Sequence, residues 1–240
     1  MPWSRWLLAV IVVTVAALSG GCLKDDNQVY QVAAVRALNA MPGSEVLDVF
    51  LDNSKLNFDN MAGEDEPFAY TDTIPYKNAW PNNRVVSVVD PDDYPDARPL
   101  LQQTVNFIPG KFYSLYIVGH DVMELLRVED DLTPPEDGQA KVRFIHLAPD
   151  APALDVEVST GEEESFTVED KPFKAYSGFM PVGSGSDYTV SFIDHRTGEV
   201  LHTFEFFPEN GGIYTVWIKG LLHNGATDAT LDFGHGIVVH

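Results

Sequence analysis

The stretch Val142-Arg143-Phe-Ile-His146-Leu-Ala-Pro149-Asp150-Ala-Pro152-Ala-Leu154-Asp155-Val156-Glu-Val158 has a gapless counterpart at residues 35–51. Val35-Arg36, Pro42, Leu47-Asp48-Val49 and Leu51 stand in register with Val142-Arg143, Pro149, Leu154-Asp155-Val156 and Val158. Two further blocks keep the order. Val85-Val-Ser87-Val-Val-Asp90 faces Thr189-Val-Ser191-Phe-Ile-Asp194. Phe107-Ile-Pro109, with Tyr113-Ser-Leu-Tyr-Ile-Val-Gly119, faces Phe206-Phe-Pro208, with Tyr214-Thr-Val-Trp-Ile-Lys-Gly220. Three collinear blocks predict a duplicated unit of roughly 100 residues, and so two domains, 31–137 and 138–240. The joint carries Pro134 and Pro135 among acids, a short stiff linker that leaves limited movement between the domains.

Within each unit the apolar period is two. Val46, Asp48 and Phe50 separate from Leu47, Val49 and Leu51, and Tyr113, Leu115 and Ile117 separate from Ser114, Tyr116 and Val118 in a more fully apolar run. Turn residues punctuate these runs at Met41-Pro-Gly-Ser, Pro81-Asn-Asn, Pro109-Gly-Lys, Ser184-Gly-Ser-Asp and Asn210-Gly-Gly. No amphipathic helix of useful length follows the first 22 residues. The pattern predicts an all-β chain of two tandem antiparallel β-sandwiches of the immunoglobulin-like kind, or a related small barrel. Tyr113 and Tyr214 each open a strand after a proline-containing turn, the place of a corner tyrosine whose hydroxyl bonds back to the chain.

The chain has 240 residues, with 15 Lys plus Arg against 36 Asp plus Glu, a formal charge of −21. Such a charge repels nucleic acid and anionic lipid surfaces. A single Cys excludes an intrachain disulfide framework and any multi-thiolate metal site. Its position carries the reading of the N-terminus. Arg5 precedes an apolar stretch, Trp6 to Leu18, too short for an ordinary membrane span, and Ser19, Gly20 and Gly21 follow it. Residues 1–21 therefore read as a cleaved signal peptide, the alternative being an uncleaved signal anchor. Leu18-Ser-Gly-Gly-Cys22 resembles a bacterial lipobox, with Ser19 where lipoboxes usually carry Leu. That resemblance implies a diacylglycerol on Cys22 and membrane attachment through lipid. Residues 22–30 then form a tether. In it Lys24, Asp25 and Asp26 look like the surface-export signal of some Gram-negative lipoproteins, which implies an outer-membrane lipoprotein exposed at the cell surface. The plain alternative is a solvated charged linker.

The opening Val142-Arg143-Phe-Ile-His146, the Ala148-Pro-Asp-Ala-Pro152 segment and the Leu154-Asp-Val156 strand together resemble the domain-of-unknown-function 4397 family. Asn210-Gly-Gly-Ile-Tyr214-Thr-Val-Trp-Ile-Lys-Gly220 is similar to that family's later turn and strand. The resemblance covers the second half fully. It covers the first more loosely, with Asn39, Gly43 and Ser44 where the His and the Asp-Ala pair would stand. It implies a secreted or lipid-anchored β-domain, often in tandem, and no established activity.

Candidate chemistry is sparse. Arg36 with Asp48, and Arg143 with Asp155, recur at one spacing in both halves, and the expectation is a half-buried ion pair between neighbouring strands that fixes their register. His146, Asp150 and Asp155 are metal-ligand types within ten residues, though a lone His at a strand end is more often a turn hydrogen-bonder. The Asp90-Pro-Asp92-Asp93-Tyr94-Pro-Asp96 loop is rich in carboxylates but lacks the order of an EF-hand. Neither is taken as a metal site, and no cofactor is expected. Nucleophile elbows, zinc-protease helices and phosphate loops are missing, so the chain reads as non-catalytic. Trp80 and Tyr94 are the aromatics least explained by alternation, and rings on rigid loops bind sugar faces or partner side chains. The reading is a surface binding or adhesion module with a glycan or protein ligand, the alternative a structural spacer or accessory subunit of an envelope complex.

Overall fold

The computed structural model describes residues 31–93, 98–161, 164–225 and 228–240. The leader, Cys22, Lys24, Asp25, Asp26 and Tyr94 lie outside them. Strands in the first half are β1 (Ala33–Asn39), β2 (Asp48–Leu51), β3 (Ser54–Lys55), β4 (Phe58–Asp59), β5 (Glu64–Asp65), β6 (Thr73–Ala79), β7 (Asn82–Val89), β8 (Leu101–Phe107), β9 (Phe112–Gly119) and β10 (Met123–Asp130). In the second they are β11 (Gln139–His146), β12 (Leu154–Thr160), β13 (Glu164–Lys171), β14 (Met180–Gly183), β15 (Tyr188–Asp194), β16 (Val200–Phe206), β17 (Ile213–Lys219) and β18 (Gly234–Val239). The helical pieces among the described residues are two three-residue 3-10 turns.

Each half is a β-sandwich of two four-stranded sheets. In the first the orders are β10-β9-β1-β6 and β3-β2-β7-β8, with β4 and β5 as a separate ribbon. In the second they are β18-β17-β11-β14 and β13-β12-β15-β16, the same arrangement strand for strand. The ladders are antiparallel except that β1 runs parallel to β9 and β11 parallel to β17. Alternation dictates what is buried. Val35, Ala37, Val49, Leu51, Val86, Val88, Leu115 and Ile117 close the first core. Val142, Phe144, Val156, Val158, Val190, Phe192, Val216 and Ile218 close the second.

The other faces of β1, β9, β11 and β17 are largely shielded from solvent, with Phe112 at the start of β9 exposed. Leu38, Tyr116, Val118, Val128, Ile145, Leu147, Trp217 and Val238 form a third apolar cluster joining the two sandwiches. These strands are largely buried on both faces, and the joint-facing sides carry Arg36, Ser114, Arg143 and Thr215 beside the apolar residues. The corner tyrosines do the work expected of them. The Tyr113 hydroxyl accepts from the Ile108 N–H at 3.2 Å, and the Tyr214 hydroxyl accepts from the Glu209 N–H at 3.0 Å. Gly212 leaves room for the second, since a Cβ there would run into the Tyr214 ring.

Candidate functional site

The two sandwiches differ at one sheet edge. In the second, β12 is flanked by β13 from Leu154 opposite Lys171 to Thr160 opposite Glu164. In the first, β2 has on the corresponding side only the two-residue β3, with Phe50 opposite Lys55 and Leu51 opposite Ser54. The chain that follows leaves this sheet for the short β4–β5 ribbon. Asn57-Phe-Asp-Asn-Met-Ala-Gly63 lacks alternation, Gly63 turns at φ +73°, and Pro67 has no N–H to give. Leu56 and Phe68 instead drop into the core and hold the segment against it.

Asn57 closes the edge thus left. Its Oδ1 accepts from the Val49 N–H at 3.0 Å, and its amide donates to the carbonyls of Leu47 and Glu66 and to the Asp48 carboxylate at 2.9 Å. The Leu47 N–H goes to the Phe68 carbonyl and the Leu56 N–H to the Val49 carbonyl. An incoming peptide strand would find the backbone of β2 already satisfied at these positions.

Above this edge lies an open cleft of about 550 Å³. Its apolar wall is Val46, Phe50, Pro67 and Pro91, and its polar wall is Asp48, Asn53, Lys55, Asp65 and Glu66. Asp48 and Phe50 alternate with the core residues Leu47, Val49 and Leu51, which is why they face outward. Lys55 Nζ lies 2.6 Å from Asp48 and 2.9 Å from Asp65. Burial alone would pull the Lys55 ammonium down, but the hydrogen bonds to Asp48 and Asp65 outweigh it and hold its pKa above the ordinary lysine value. The cleft thus presents one fixed cation between two carboxylates, a further acid, and a half-buried ring.

The structure does not bring together the residue pairs expected from the repeat. Arg36 lies on β1 and Asp48 on β2, strands of opposite sheets, and Arg143 and Asp155 are separated in the same way. Equal spacing in the chain reflected equal topology, not contact. Asp48 takes Lys55 as partner, while Asp155 accepts from the Asp170 N–H and pairs with His195 at 2.8 Å, which raises the imidazole pKa. The arginines face the joint between the sandwiches. Arg36 donates to the Val239 carbonyl at 3.1 Å. Arg143, 1% exposed, pairs with Asp130 at 2.7 Å and also donates to Thr215 and Tyr116.

A hydrogen-bonded ring closes around that pair. Tyr76 and Ser114 donate to Asp130 at 2.7 and 2.8 Å. His240 bridges Tyr76, 2.8 Å from Nδ1, and Thr215, 2.7 Å from Nε2. With the Tyr76 proton given to Asp130, Nδ1–H donates to the Tyr76 oxygen and Nε2 accepts from Thr215, so the ring needs a neutral imidazole. Burial pushes the His240 pKa down to about 4.

The His146, Asp150 and Asp155 side chains do not converge. His146 Nδ1 accepts from the Ala148 N–H, its Nε2 faces the Pro152 carbonyl at 3.0 Å, and burial lowers its pKa. Asn39 does the same for the first half, its Oδ1 accepting from the Met41 N–H. Asp150 accepts from the N–H groups of Leu222 and His223. In the acidic loop, Asp90 accepts from the Asp92 N–H as a turn residue. Trp80 is 57% exposed, but it precedes β7 whereas Pro91 follows it. Eight strand residues put these two roughly 25 Å apart, while Asn53, at the other end of the cleft, follows Asp52, whose carboxylate holds the Arg84 that donates to the Trp80 carbonyl. Phe50, Lys55, Asn57 and Asp65 were not singled out by sequence reasoning. The signal was the loss of alternation at 53–67 where the other half has a strand.

A profile of the domain-of-unknown-function family DUF4397 matches residues 33–157, just over half of the chain. The chain belongs to the DUF4397 family. The DUF4397 match takes in every strand of the first sandwich and runs through β11 into β12, although the motifs recognisable by eye lay in the second half. No curated protein matches. Among solved structures, similarity is found to CBMbc, of family CBM26, from Eubacterium rectale Amy13K in complex with maltoheptaose. The identity is 9%, with 87% of this chain and 96% of that one covered, at a TM-score of 0.26. A streptococcal virulence factor described for α-glucan binding matches at 9% identity, 79% and 92% coverage and a TM-score of 0.27. The Bacillus anthracis TIE protein matches at 12% identity, 79% and 34% coverage and a TM-score of 0.24. At such scores these likenesses carry no argument, and the fold rests on the sheets themselves.

Proposed function

We propose that this DUF4397 protein is a non-catalytic binding module that takes a glycan in the cleft of its first sandwich. The observation that carries the reading is the replaced edge strand. Where the second sandwich has β13, the first has a cleft combining a ring, carboxylates and an ammonium over a closed backbone edge. Sugars are recognised by that combination, with hydroxyls bonding to planar charged groups and ring faces packing on aromatics. A Lys held as a cation is a poor general base, which supports binding over catalysis. The second half is, on this reading, a second DUF4397 copy. Its own edge is filled, so it supports the first. The chain would be lipidated at Cys22 and carried to the outer face of the outer membrane by Lys24, Asp25 and Asp26.

Calorimetric titration with glycans selected from an array tests the binding reading. Phe50→Ala and Asp65→Ala should each weaken binding about tenfold or more, a loss of ~1.4 kcal/mol, while Trp80→Ala leaves it unchanged. Loss through Trp80 alone would move the site to the other end of the sandwich. The buried joint between the sandwiches favours a second reading, a rigid spacer in an envelope complex. Capture of an envelope protein through the second sandwich, insensitive to Phe50→Ala, would support it.

A further inference from the structure

Beyond the cleft, on the other side of the Glu66-Pro67 segment, lies a second trough of about 550 Å³. It is lined by Thr71, Asp72, Thr73 and Pro75 and shares Glu66 and Pro67 with the first. The shared residues are exposed, so they form a ridge with a depression on either side. Beneath the ridge Asn57 and Phe68 are buried. Asn57 donates to the Glu66 carbonyl at 2.8 Å, and the Glu66 N–H returns to the Asn57 carbonyl at 2.9 Å, which pins the ridge at its base. At the far rim Thr71, a β-branched residue, sits at φ +76°, a conformation that costs about 1–3 kcal/mol and is held here by its N–H donating to the Asn39 carbonyl at 2.8 Å.

Building on the glycan reading, we infer that the ligand is an extended, uncharged oligosaccharide that crosses the Glu66-Pro67 ridge and occupies both troughs. Length follows from the shape. A mono- or disaccharide fills one depression, whereas a chain held in the first is presented to the second at high effective concentration, so its further contacts add affinity. Charge follows from the lining. Lys55 is the one cation among the described residues that line either trough, and Asp48 and Asp65 already hold it. Glu66 and Asp72 add negative charge on both sides, and the chain as a whole carries −21. A uronic-acid polymer would meet like charge throughout.

The test is calorimetry on the full chain with cello-, malto- and xylo-oligosaccharides of two, four and six units, and with hexameric oligogalacturonate. One neutral series should gain at least tenfold in affinity from dimer to hexamer, and oligogalacturonate should bind more weakly than the neutral hexamer. Thr73→Trp, which fills the second trough from an exposed position, should reduce the hexamer to the level of the dimer. Equal affinity of dimer and hexamer, or tighter binding of oligogalacturonate, overturns this inference while the glycan reading stands. If no oligosaccharide binds, both fall.

Discussion

Asp130→Ala removes the acceptor at the centre of the joint between the sandwiches. The wild-type carboxylate takes three donors, from Arg143, Ser114 and Tyr76, and its side chain is fully buried. Its loss leaves the Arg143 guanidinium, itself 2% exposed, without a counter-charge in a low-dielectric interior. Breaking a buried pair from one side costs about 3–5 kcal/mol, a large part of the 5–15 kcal/mol that holds a typical domain together. Arg143→Met should be milder, at ~2–4 kcal/mol, because Asp130 keeps Tyr76 and Ser114. The double variant should then be no less stable than Asp130→Ala alone, since the stranded charge has gone. A double-mutant cycle in urea, followed by Trp217 fluorescence at the joint and by circular dichroism, would give a coupling energy near 3 kcal/mol. Because the third apolar cluster makes the joint part of the core, the two probes should report one transition. Additive single effects, or an Asp130→Ala loss below 1 kcal/mol, would refute the reasoning.

Acid should weaken the same joint through His240. Its pKa is about 4 when folded and near 6.5 when unfolded, so the unfolded chain binds more protons between those values. The stabilisation is whole above pH 6.5 and is lost as pH falls towards 4, by about 3 kcal/mol at ~1.4 kcal/mol per pH unit. His235, also pushed down to about 4 by burial, and the lowered His146 and His202 keep part of the slope, so His240→Gln should reduce it rather than remove it, and an unchanged slope would count against the ring. Tyr113→Phe and Tyr214→Phe each orphan one backbone N–H and should cost about 1–2 kcal/mol by urea titration, an effect below 0.5 kcal/mol telling against the corner role. Cys22→Ser should release the protein from membrane fractions, and Ala at Lys24, Asp25 and Asp26 should protect it from protease added to whole cells. Normal processing with unchanged retention, or persistent shaving, would contradict those assignments.

Strands, turns and the two sandwiches were legible because period-two alternation is local and each half repeats it. The run from Tyr113 to Val118 was legible as a more fully apolar strand, but that its second face is covered by the other sandwich was not local information. The Arg36 and Asp48 pairing failed for the same reason. Spacing along the chain is kept by any duplicated topology, whether or not the two positions share a sheet. The cleft was hidden because it is made by what a segment fails to do. Residues 53–67 lose alternation, and Asn57, an unremarkable polar residue in the sequence, takes over the hydrogen bonds of a missing strand. Trp80 drew attention as an exposed ring, yet it stands at the far end of β7 from the acids and amine that a ligand would need.

The location of binding tests the account most directly. In an amide chemical-shift titration of the full chain with the tightest neutral oligosaccharide, the shifts should gather at residues 46–55, 64–66, 68–73 and 92, and β12 and β13 should stay still. Shifts confined to the Trp80 end of the first sandwich, or to the second sandwich, would contradict it.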